Sequence, residues 1–78
     1  MDKSAFENLE SRKLSIATNK SKIDGTPESY IGYLVRVGDN FIELDYGKAS
    51  NVPHNTIDKV FISLEVIIGV WVYLNNTS

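Results

Sequence analysis

Residues 30–45 run Tyr-Ile-Gly-Tyr-Leu-Val-Arg-Val-Gly-Asp-Asn-Phe-Ile-Glu-Leu-Asp, and no other stretch limits the fold so strongly. Residues 30–37 are dense in β-branched and aromatic side chains, the composition of a strand. Residues 41–46 alternate, with Ile42, Leu44 and Tyr46 on one face and Phe41, Glu43 and Asp45 on the other. Gly38, Asp39 and Asn40 between them tolerate positive φ and predict a tight hairpin. Gly32, early in the first of these strands, predicts a sharp bend or a close backbone approach. A small barrel needs such a bend, because one long strand must serve both of its sides.

The remaining segments fit around this hairpin. Residues 2–13 predict a short helix, with Ser4 and Glu7 at capping-box spacing, Asp2 as an alternative cap, and Phe6 and Leu9 on one face. So short a helix is not stable alone, so Phe6 and Leu9 are expected to dock on the barrel. Residues 14–18 alternate as a first strand, and residues 19–29 form a polar connection. Residues 47–51 read as a polar loop, and Pro53 suits a strand start or an edge. Residues 57–62 predict a fourth strand with Val60 and Ile62 in the core, and Ser63-Leu64-Glu65 a one-turn connection. Residues 66–74 predict a fifth strand that is apolar on both faces. Strict alternation sends Ile67, Trp71 and Tyr73 outward. Such a strand leaves an apolar patch beside an unpaired edge, which association would cover. Ile67, Trp71 and Tyr73 are therefore the expected contacts of a homo-oligomer.

Size and charge narrow the possibilities. A 78-residue chain forms one domain, and at this size folding removes only roughly 60% of the unfolded surface from water. There is no Cys to form a disulfide or a thiolate metal site. Stability must therefore come from a good core or from partner subunits. The net charge is −2. Residues 1–27 hold five Lys or Arg against four Asp or Glu, and residues 28–78 hold three against six. The barrel is acidic, and the little basicity present lies near the N-terminus. Residues 1–14 are charged throughout and show no secretion signal. The longest apolar run, residues 60–74, contains Ser63 and Glu65 and is shorter than the ~20 residues that span a bilayer. The expectation is a cytoplasmic chain with no membrane partner.

Five short strands after an N-terminal helix, with this hairpin in the middle, resemble the Sm-like family, which includes bacterial Hfq. In that family the first motif runs aromatic-apolar-Gly-x-apolar, then a turn with Asp and Asn, then apolar-x-Leu. Tyr30-Ile31-Gly32-Tyr33-Leu34, Asp39-Asn40 and Ile42-Glu43-Leu44 follow that order. Val60-Phe61-Ile62, Ser63-Leu64 and Val66-Ile67-Ile68 match the outline of the second motif. The family's Arg-Gly pair, whose Arg helps to hold a base, is replaced here by Ser63-Leu64. The Lys-His pair of Hfq finds only Pro53-His54 nearby, and Asp39-Asn40 is a compressed version of the first motif's turn. Other SH3-like barrels with a Val-Pro-x-x-x-Ile entry strand fit residues 52–57 almost as well.

The expected fold class is therefore mainly β. It is a strongly bent, five-stranded antiparallel SH3-like or Sm-like barrel over residues 14–74. A short N-terminal α-helix (1–13) precedes it, and a tail (75–78) follows. The resemblance implies a ring-forming, non-catalytic module for single-stranded RNA. Asp39 and Asn40 would read base edges, Phe41 would stack on a base, and Lys20, Lys22 and His54 would assist. Arg12 and Lys13 could extend a basic rim. The alternative is an oligomeric scaffold or protein-interaction module with no nucleic-acid role. Catalysis has little support: there is one His, and no phosphate-binding Gly-rich loop. Glu43 and Asp45 share a face, which a solvated outer surface explains. Neither a metal nor a cofactor is expected.

Overall fold

The computed structural model describes residues 1–49 and 57–74. The chain enters through a 3-10 turn over Lys3–Phe6 and continues into β1 (Lys13–Ser21), β2 (Pro27–Val37) and β3 (Phe41–Asp45). A single helical turn, α1 (Tyr46–Ala49), follows β3. Then come β4 (Lys59–Ser63), a second 3-10 turn over Leu64–Val66, and β5 (Ile67–Val72). The five strands form one antiparallel sheet in the order β4-β3-β2-β1-β5, so β4 and β5 are its two edges and the sheet is open.

Alternation makes the core. Leu14 and Ile16 of β1, Leu34 of β2, and Ile42 and Leu44 of β3 are fully buried, and Ile62, Leu64 and Ile67 join the same cluster. Every strand contributes to this one cluster, so the sheet must coil around it. Gly32 lets β2 lie close on β3: a Cβ there would come within 3.0 Å of Leu44 Cβ and 3.2 Å of the Asp45 carbonyl oxygen. The register slips by one residue between Leu34 and Arg36 and again between Ala17 and Thr18, and by two between Ala17 and Ser21. Such bulges raise the local twist that a coiled sheet requires.

Several expectations need correction. Residues 2–13 are not a helix, and only one 3-10 turn forms. Its cap is Asp2, whose carboxylate accepts from the Ser4 amide at 3.2 Å. Asn8 and Ser11 hold φ of 64° and 69°, which no right-handed helix can contain. Phe6 still docks in the core at 0% exposure, with Leu9 packed against it. The polar connection is shorter than expected, since β1 runs on to Ser21 and β2 begins at Pro27. Tyr46, expected to end the third strand, and Gly47, expected in a loop, instead open a helical turn, their amides donating to the Asp58 carbonyl at 3.0 and 2.9 Å. Residues 50–56, with Pro53, lie outside the described residues. β4 starts at Lys59, which leaves Ile57 half exposed.

The hairpin itself forms, with the Gly38 amide donating to the Phe41 carbonyl at 2.8 Å. None of Gly38, Asp39 and Asn40 takes a positive φ, so the tolerance they offer is not used.

Candidate functional site

The hairpin tip is held from two directions. The Leu64 amide donates to the Asn40 carbonyl at 2.9 Å, which fastens the β4–β5 turn against the β2–β3 turn. The Lys3 ammonium reaches Asp39 Oδ1 at 3.5 Å from the N-terminal turn. Both Asp39 and Asn40 remain exposed. Phe41 is half buried. Its ring lies against Gly38, where no Cβ would fit without moving it. The Arg36 guanidinium stands 5.1 Å from the ring centre of Phe41, and Phe61 of β4 tilts against it at 6.0 Å. Arg36 also donates from Nε to Glu43 Oε1 at 2.8 Å.

The carboxylates on this face are engaged by cations. Glu43 is paired to Arg36, and Lys59 lies 3.8 Å from Asp45 and 3.2 Å from Asp58. Hydrogen bonding to Asp58, with Asp45 and Glu43 adding their charge, holds the Lys59 ammonium above its ordinary pKa despite some desolvation. Glu43 and Asp45 are thus both ion-pair partners on this surface. Among the described residues no group of three His, Cys, Asp or Glu is placed to hold a metal ion.

The expected basic helpers are dispersed. Lys22 sits in the β1–β2 turn, where its amide donates to the Thr26 carbonyl at 2.8 Å. That turn and the Asp39-Asn40 tip lie at opposite ends of the eleven-residue β2. Asp24 in the same turn accepts from the Thr26 hydroxyl at 2.7 Å and its amide at 3.0 Å, which lowers the Asp24 pKa. His54 lies outside the described residues.

Lys20, at the end of β1, meets different company. It lines a cavity of about 230 Å³ with Thr18, Tyr30, Phe61, Ile62, Ser63 and Val66. The cavity lies between β4 with the turn that follows it and residues of β1 and β2, and no residue of β3 lines it. The Thr18 hydroxyl donates to the Glu28 carbonyl at 3.2 Å. Tyr30 is held above its ordinary pKa, first by burial and then by the neighbouring Glu28 charge and a hydrogen bond with Glu28. Phe61 thus lines the cavity with Lys20 and also tilts against Phe41. Sequence reasoning overlooked Phe61 and Arg36. The available signal was an outward aromatic on β4 directly opposite Glu43.

β5 departs from strict alternation. Thr18 pairs with Ile67 and Ala17 with Gly69, so Ile68 is the extra residue of a bulge and the pattern changes phase there. Ile67 is consequently in the core at 5% exposure and cannot be an outward contact. Ile68 takes its place outside at 59% exposure, beside Trp71 at 59% and Tyr73 at 42%. Trp71 folds its ring toward Gly69, and the Lys13 ammonium stands 5.3 Å from the Tyr73 ring centre. Arg12 donates to the Tyr73 carbonyl at 2.9 Å. Ile31, Ser15 and Trp71 fall in one cross-strand row, which extends the apolar patch over three strands.

Compared with known proteins, the chain matches no family model, no curated sequence and no solved structure. Among the described residues no helix is long and apolar enough to cross a membrane.

Proposed function

We propose that the chain is a non-catalytic module, built on the plan of a small SH3-like or Sm-like barrel, that assembles with copies of itself through its strand edges. One observation carries this reading. The sheet is open, and its edge strand β5, with Tyr73 just beyond it, bears Ile68, Trp71 and Tyr73 exposed beside backbone groups with no strand partner among the described residues. An edge of this kind, left bare, invites pairing with another chain. Pairing β5 of one copy with β4 of the next would make a head-to-tail contact between the two open edges. Head-to-tail contacts that close make a ring. Replacing Trp71 with Asp should reduce the native mass to that of a single chain with the β-sheet circular dichroism retained. A mass that does not change would remove β5 from the interface.

Single-stranded RNA is the second reading. It is favoured by the exposed Asp39-Asn40 tip beside the Arg36–Phe41 pair, where a base edge could meet an amide and a base face a guanidinium. In a ring these tips would repeat and their weak affinities combine. Against it stands the engagement of Phe41 by Arg36, Phe61 and Gly38, which leaves the ring less free to stack than the sequence suggests. Asn40→Ala should weaken hexauridylate binding by about three- to tenfold with the assembly intact, the effect of one lost hydrogen bond. Equal affinity of the variant and the parent chain would end this reading.

A further inference from the structure

We propose that the free edge of β4, with the cavity beside it, takes an extended peptide strand carrying an apolar side chain next to a carboxylate. The inference rests on the reading of β4 as an edge that accepts strands, and it adds the chemistry of a foreign partner. Three features meet at one place. The outer backbone of β4 has no strand partner among the described residues. Phe61, Ile62 and Val66 wall the cavity of about 230 Å³ with apolar surface. Lys20, exposed and with no ion pair among the described residues, stands at the same cavity.

A peptide backbone can complete the sheet along β4, and alternate side chains of such a strand point to the same side as the cavity. One apolar side chain would enter against Phe61 and Val66, and a neighbouring Asp or Glu would meet Lys20. Nucleic acid could satisfy Lys20 and the Phe61 ring, but its sugar-phosphate backbone lacks the regularly spaced amides and carbonyls that continue a β-ladder. The peptide uses all three features. β5 of a second copy (Ile-Ile-Gly-Val-Trp-Val) has no acidic residue for Lys20, and an acidic partner strand would compete with it for the same edge.

The test is fluorescence anisotropy of a labelled, capped hexapeptide alternating valine and glutamate, titrated with the full chain at low salt. Four comparisons accompany it: a valine–lysine peptide, the acidic peptide methylated on alternate amide nitrogens, hexauridylate, and the variant Lys20→Glu. The acidic peptide should bind, the lysine peptide and the methylated peptide should not, and Lys20→Glu should weaken binding at least about tenfold. Bound peptide should also lower the native mass of the assembly. Binding that survives both N-methylation and Lys20→Glu would overturn the proposal. So would hexauridylate binding through Lys20 when the acidic peptide fails to bind. If the chain alone were monomeric, the assembly reading would fall, while the anisotropy titration would still decide the peptide site.

Discussion

A methyl group added at Gly32 would press on Leu44 Cβ and on the backbone of Asp45, neither of which can swing away. One added at Gly69 would meet only the far rim of the Trp71 ring, at 3.1 Å, which can turn aside. Gly32→Ala should therefore cost about 1–3 kcal/mol, the range for overpacking a tight site. Gly69→Ala should cost clearly less, and urea unfolding of the pair checks the order. Equal losses would mean that β2 and β3 are not so closely apposed. Titration gives a second prediction at this scale. Burial and Glu28 raise Tyr30 above its usual value of 10.0, so the folded chain keeps that proton where the unfolded chain has lost it. The resulting stability is present below pH of about 10 and lost as pH climbs through the raised value. The Lys59 contribution has the same sign, from its raised pKa. Asp24 has the opposite one: its lowered carboxyl favours the fold above about pH 4, an advantage that disappears as pH falls through the depressed value. Tyr30→Phe should flatten the alkaline loss of stability while leaving the acid limb unchanged. An alkaline limb identical to that of the parent chain would contradict the placement of Tyr30.

At the scale of elements, the strands were legible where period two runs unbroken. Ile42 and Leu44 are fully buried, and Phe41, Glu43 and Asp45 lie on the other face, as alternation requires. Where a bulge inserts a residue, the pattern changes phase and reading by alternation fails. Ile67 and Ile68 exchange faces for that reason alone. The N-terminal helix failed for a different reason. Asn8 is a residue type that accepts the left-handed conformation, but nothing in the sequence marks Ser11 as a second one. Of the candidate site, the hairpin was legible because its turn residues are local. The placement of Lys20 and Phe61 on one cavity was not, since it depends on how the sheet coils. Leu44→Ala should cost about 2–5 kcal/mol, and Val35→Ala, on the exposed bulge of β2, under about 1 kcal/mol. Comparable losses at the two positions would show that the core does not sit on the face assigned to it.

The whole molecule sets a small core against two open edges and an apolar strand that its own described residues leave uncovered. A chain of 78 residues without disulfides has little stability to spare. Covering β5 with β4 of a neighbour would hide Ile68, Trp71 and Tyr73 and satisfy the edge backbone in one step. This makes native mass the most direct test, by light scattering or native mass spectrometry at micromolar concentration and again at high salt. The predicted result is a closed assembly of several chains. A single chain of 8.7 kDa at every concentration would contradict it.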